Sequence, residues 1–200
     1  MATILVLNSS VLGDGPVSRL LVEEAVQQLS KTNPGATVIR RDLGVTPIPH
    51  LTTANVAGIK MEPSTDAEFA ARALSDELIA ELRAADTVVI GAPMYNFSIP
   101  TGLRAWFNYV LRAGETFRHT EAGPQGLLTG KRVIVVEPRG GLYSEDPAQA
   151  IDFQEPYLRT LLGFIGLGDV TLIHAEKIGF GPEAHEAALA SAEQALAAAA

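Results

Sequence analysis

Three short segments hold residue types that bind planar or anionic ligands. The first reads Asn8-Ser9-Ser10-Val11-Leu12-Gly13-Asp14-Gly15-Pro16-Val17-Ser18. It sets small, hydroxyl and glycine residues between an apolar run and a helical pattern. Free N–H groups at a helix start, joined by serine hydroxyls, form a phosphate site. Ser18 is placed to cap that helix. A capped helix after a flexible turn has the same composition, so phosphate is one of two readings. The second segment is Gly91-Ala92-Pro93-Met94-Tyr95-Asn96-Phe97-Ser98-Ile99-Pro100. An aromatic face covers a planar ligand, and an amide offers one donor and one acceptor edge. The alternative packs Tyr95 and Phe97 as a hydrophobic corner. The third is Glu137-Pro138-Arg139-Gly140-Gly141. Paired glycines let backbone N–H groups approach a ligand and hold an anionic or carbonyl oxygen, although a Gly-Gly pair by itself marks only a turn.

Other patterns carry less. Gly13-x-Gly15-x-x-Ser18, with Asp42 further on, approaches the dinucleotide fingerprint. Its third glycine is missing, its glycines start several residues past the strand, and Asp14 repels a pyrophosphate. Gly126-x-x-x-Gly130-Lys131-Arg132 is one residue short of a phosphate-binding Walker loop and leads into a strand. His50 falls in a long loop, His174 at a strand end and His185 in the tail helix. None has a histidine or carboxylate at metal-ligand spacing. No metal site and no catalytic residue is assigned.

Elements in regular alternation must position these loops. Residues 3–7, 87–90 and 132–136 are continuous apolar runs rich in β-branched residues, with shorter or weaker ones at 170–173 and 37–39. Continuous runs suit strands buried on both faces, as in a parallel sheet. Helical spacing appears over 18–29, 66–84, 101–111, 152–165 and from 182 to the tail. Trp106 and Phe107 read as core or subunit contact. About five strand–helix rounds predict an α/β fold, an open parallel five-stranded sheet with helices on both faces. Ligands in such sheets bind beyond the strands' C-terminal ends, where the three segments lie. The segments 47–64 and 139–147 break the rhythm as long loops.

The chain of 200 residues forms one domain over 1–200, with no linker. With no cysteine, disulfide scaffolds, thiolate metal sites and cysteine nucleophiles are excluded. The net charge is −8 and the basic residues are scattered, which argues against nucleic acid. No apolar run reaches the length of a membrane helix, and the N-terminus shows no leader pattern. The expectation is a cytoplasmic protein.

Taken together, several motifs resemble one family. They are Pro93-Met94-Tyr95-Asn96-Phe97, Arg112-Ala113-Gly114-x-Thr116-Phe117-Arg118, Gly126-Leu127-x-Thr129-Gly130-Lys131, Arg139-Gly140-Gly141 and Leu162-Gly163-Phe164-Ile165-Gly166. In this order they resemble the FMN-dependent NAD(P)H azoreductase (quinone reductase) family. The resemblance implies a flavodoxin-like fold, a homodimer, one non-covalent FMN per subunit, and NADH or NADPH as electron donor. It implies quinones and aromatic azo or nitro compounds as acceptors, reduced in ping-pong fashion. Carried over by position, Ser10, Pro16, Val17 and Ser18 hold the phosphate. Met94, Tyr95, Asn96 and Phe97 flank and read the isoalloxazine, and Pro138, Arg139, Gly140 and Gly141 line its other edge. His119 and Phe164 lie toward the substrate, and helix 101–111 with segment 47–64 helps form the dimer. Three positions depart from the family. Pro16 often stands as Ser and offers neither hydroxyl nor N–H, Pro138 is often Ser or Thr, and His119 is often Tyr. A flavodoxin-type electron carrier and a dehydrogenase built on loop 13–18 are the alternatives.

Overall fold

Five strands pair in parallel in the order β2-β1-β3-β6-β7. They are β1 (Thr3–Asn8), β2 (Thr37–Asp42), β3 (Thr87–Gly91), β6 (Arg132–Pro138) and β7 (Asp169–Ala175). The computed structural model describes residues 1–12 and 17–199. The helices are α1 (Val17–Thr32), α2 (Val56–Lys60), α3 (Asp66–Ala84), α4 (Thr101–Val110), α5 (Glu155–Phe164) and α6 (Pro182–Ala199). A separate antiparallel hairpin joins β4 (Phe117–Thr120) to β5 (Gly123–Gly126).

The continuous apolar runs are explained by burial on both sheet faces. Successive strand side chains point to opposite faces. Leu5, Leu7, Val88, Ile90, Val133 and Val135 pack with Leu78 and Leu82 of α3, Trp106 of α4 and Leu162 of α5. Ile4, Val6, Val89, Ile134 and Val136 pack with Leu21 and Val22 of α1 and Ala188, Ala192 and Leu196 of α6. Helices therefore cover both faces, as the sequence predicts. Trp106 and Phe107 are core residues. α3 starts where expected because Thr65 and Glu68 form a reciprocal capping box.

The structure corrects several local expectations. The hairpin was not foreseen, because Gly123-Pro124-Gln125-Gly126 lacks β-forming residues. β2 runs on to Asp42; as an edge strand it carries Arg40 and Arg41, paired with Glu23 and with Glu77 and Glu81, which hides it from an apolar search. Segment 47–64 contains α2. α5 starts at Glu155, because Asp152 Oδ1 accepts the N–H groups of Gln154 and Glu155 at 2.8 and 3.1 Å and stops the helix extending backward. Ser18 is not the cap of α1: the helix begins at Val17, so Ser18 lies buried in its first turn. Residues 13–16, just before α1, lie outside the described residues.

Candidate functional site

β1 lies between β2 and β3, so the chain leaves β1 to one side and returns on the other. Ligands bind at such a switch point, beyond the strands' carboxyl ends. Loops from β1, β3 and β6 meet there. Ser9 donates to Gly91 O through its N–H at 3.2 Å and its hydroxyl at 2.6 Å. Ala92 N–H donates to Val136 O at 2.8 Å and Met94 N–H to Pro138 O at 2.9 Å.

In the first loop the Tyr95 and Ser10 hydroxyls lie 3.2 Å apart. Val11 N–H donates to Tyr95 Oη and Leu12 N–H to Ser10 Oγ, both at 3.2 Å. Two hydroxyls thus gather before α1, with the Val11 and Leu12 N–H groups directed onto them, a polar cluster suited to an anion. Val17 and Ser18 lie buried in the helix's first turn. Pro16 lies outside the described residues. Asp42, the acid of the near-fingerprint, is otherwise engaged: it pairs with Arg19 and accepts from Gly44 and Val45 N–H at 3.0 and 3.1 Å. Burial pushes its carboxyl pKa up, but Arg19 and those N–H groups outweigh this and hold it below the usual value.

The second loop closes as a tight turn, with Tyr95 and Ser98 exchanging backbone hydrogen bonds at 2.9 and 3.2 Å. Both central residues have positive φ, 48° at Asn96 and 68° at Phe97. Asparagine tolerates this region; a bulky residue there costs about 1–2 kcal/mol. The turn leaves Asn96 exposed and the Phe97 ring 43% exposed. Phe97 meets Tyr143 edge-on at 6.1 Å.

In the third loop Arg139 turns inward and is 0% exposed. Its guanidinium binds Glu137 at 2.8 Å, Asp152 at 3.0 Å and Glu176 at 3.4 Å. Only its backbone is available to a ligand. The carbonyls of Arg139, Gly140 and Gly141 accept from Ile178, Gly179 and Lys177. The N–H groups of Gly140 and Gly141 have no partner among the described residues. A Cβ on Gly141 would stand 3.1 Å from the Tyr143 ring.

Tyr143 escaped the sequence reading; its signal was an aromatic two residues beyond the glycine pair. Tyr143 and Ser144 N–H donate to Glu176 Oε1 at 2.8 and 3.0 Å. Burial pushes the Glu176 pKa up, but the Ser144 hydroxyl, the Tyr143 N–H, Arg139 and His174 together depress it. The sequence found no carboxylate partner for His174. The structure supplies two from remote elements, since His174 Nε2 lies 3.1 Å from both Glu137 Oε2 and Glu155 Oε2. Hydrogen bonding to Glu137 raises the His174 pKa, against burial and Arg139. These three residues could span a metal ion. The Arg139 guanidinium already sits against Glu137 and within 4.0 Å of Glu155, and it supplies the positive charge there.

His119 and Phe164 form a separate group. Both flank Phe117, at ring distances of 5.5 and 4.5 Å. Between described residues, no hydrogen bond or ring contact links them to the three loops. His119 faces Lys60 and Met61 of the α2 region across a cleft of about 440 Å³. The Arg112 motif is a structural turn: Arg112 binds Ser75 at 2.8 Å and pairs with Asp76, and the Thr116 hydroxyl donates to Val110 O at 2.6 Å.

The comparisons agree with this geometry. The family model described as a flavodoxin-like fold matches residues 2–200. A Hyphomonas neptunium protein named FMN-dependent NADH:quinone oxidoreductase is 66% identical over 193 residues, which covers 96% of this chain and 93% of that one. A Ralstonia nicotianae protein of the same name is 48% identical over 196 residues, covering 96% and 94%. A solved azoreductase from Bacillus anthracis strain Sterne superposes with a TM-score of 0.88 at 26% identity, covering 100% of this chain and 98% of its own. The chain therefore belongs to the family of FMN-dependent NADH:quinone oxidoreductases, built on the flavodoxin-like fold.

Proposed function

We propose that the chain is an FMN-dependent oxidoreductase that takes electrons from NADH or NADPH and passes them to quinones and aromatic azo or nitro compounds. The observation that carries this reading is the meeting of three groups at the β1/β3 switch point: the hydroxyl and N–H cluster at Ser10, the aromatic turn at residues 95–98, and the N–H groups of Gly140 and Gly141, which have no partner among the described residues. These residues fit FMN. The first set suits its phosphate, the second its ring, and the third a carbonyl or anionic oxygen on the ring edge. Bound there, FMN would supply two-electron redox chemistry between a nicotinamide donor and the acceptor.

The chain's own residues bind and orient. Phe97 and Tyr143 bound the ring's surroundings with apolar edges. The Gly140 and Gly141 N–H groups favour negative charge on the oxygen they face. An open rim admits donor and acceptor in turn, which gives ping-pong kinetics. A quinone takes two electrons and two protons in one visit. An azo bond takes four of each to yield two amines, hence two visits. Water supplies the protons, so no side chain is assigned as acid or base. The protein acts as a cytoplasmic homodimer, with His119 and Phe164 on the acceptor side.

Spectra of FMN-loaded protein test this. After anaerobic NADH or NADPH, retained flavin bleaches to its two-electron form and recovers on adding a quinone. Protein that retains no flavin, or whose flavin ignores both nucleotides, overturns the reading.

A further inference from the structure

The turn at Asn96 and Phe97 is strained, and such backbone persists only where its surroundings over-determine it. Segment 152–154 supplies that support. Gln154 is 0% exposed, and its Nε2 donates to Ala92 O at 2.6 Å, where the loop leaves β3. Phe153 N–H donates to Phe97 O at 3.1 Å, and the Ser98 hydroxyl donates to Phe153 O at 3.5 Å, where the loop ends. Asp152 fixes the segment from below, accepting Gln154 N–H and meeting Arg139 Nη1 at 3.0 Å. Gln154 Oε1 is buried with no partner among the described residues. A buried amide with one unmet acceptor is poor core filling; an apolar side chain of similar volume would do better. The bond to the Ala92 carbonyl accounts for the amide, because that carbonyl is buried and receives no other donor among the described residues.

We infer that Gln154 is a positioning residue: through Ala92 it holds the start of loop 92–98 while Phe153 holds its end, and together they set the face that Met94, Tyr95, Asn96 and Phe97 offer to the flavin ring. This rests on the proposed FMN site. The hydrogen bond from the Gln154 side chain goes to Ala92, which is not one of the assigned ligand-binding residues.

The test has one arm without ligand and one with it. In ligand-free Gln154→Leu, amide hydrogen exchange over residues 94–98 rises about tenfold while β1 and β3 are unchanged. Riboflavin carries the ring without the phosphate. Its affinity and that of FMN fall by the same factor, about ten, and the visible band of the bound ring moves toward that of free flavin. Gln154→Glu separates positioning from packing and serves where Gln154→Leu fails to fold. Protonated, it donates to Ala92 O and binds flavin as wild type does. Ionised, it loses that bond, so its affinity falls as pH rises while wild type holds. Unchanged exchange in Gln154→Leu, raised exchange with unchanged riboflavin affinity, or a pH-independent Gln154→Glu overturns the inference. Wild type that binds neither flavin overturns the proposed function instead, and the exchange arm still decides whether Gln154 holds the loop.

Discussion

The Tyr95 hydroxyl ties the second loop to the first, meeting both Ser10 Oγ and Val11 N–H. Tyr95→Phe keeps the ring and removes that link. FMN affinity is expected to fall about fivefold while riboflavin changes little, read by fluorescence titration; equal losses for both would show that the hydroxyl acts on the ring face and not on the phosphate loop. His174 makes a different prediction. Hydrogen bonding to Glu137 raises its pKa in the fold, so its stabilising contribution is complete below the unfolded value of about 6.5 and is lost as pH rises through the folded value. The urea midpoint of wild type should exceed that of His174→Leu most near about pH 6, with the margin shrinking toward about pH 9. A margin that grows with pH contradicts the pairing. Glu176 has the opposite sign: its contribution is lost as pH falls through its depressed value. Tyr95 was legible in the sequence as part of an aromatic–amide cluster. The partners of His174 were not, because Glu137 and Glu155 come from a different strand and a helix.

At the scale of elements, the hairpin depends on two glycines. A Cβ on Gly126 would lie 2.1 Å from Gly166 N, so β5 rests backbone against backbone on the turn after α5. Leu128 N–H also donates to Ile165 O there, at 2.9 Å. Gly126→Ala is expected to cost about 2–3 kcal/mol in urea unfolding. Because the hairpin carries His119, the variant should raise KM for the acceptor more than it weakens FMN. Both glycines stood out in the sequence as motif members, but their role was invisible: closeness of backbones 40 residues apart leaves no local pattern. α3, by contrast, was legible to the residue, since its capping box and apolar spacing are local signals.

At the scale of the molecule, exposed apolar side chains remain at Val45, Met61 and Phe69. α2 packs on α3, and Met61 and His119 line the same cleft. These features support a homodimer that uses this region. Sedimentation should give twice the 21.2 kDa chain mass; a monomer with full FMN-dependent activity would remove the dimer from the account. The chain carries a net charge of −8, and Arg40 and Arg41 on the edge strand β2 pair with glutamates of α1 and α3.

The sequence by itself determined the alternation of strands and helices, the sheet's burial on both faces, and the three loops that meet at its carboxyl edge. Those follow from periodicity and turn chemistry, which act over a few residues. Tertiary structure alone decided where Arg139 points, which residues support the strained turn, and how the hairpin docks. Arg139 read as part of a ligand loop. Four carboxylates, from β6, the residue after β7, α5 and the segment before α5, draw its guanidinium inward, and the same turn of the backbone leaves the Gly140 and Gly141 N–H groups without partners among the described residues. Charge pairing across distant segments depends on positions in space, and only the assembled sheet sets those.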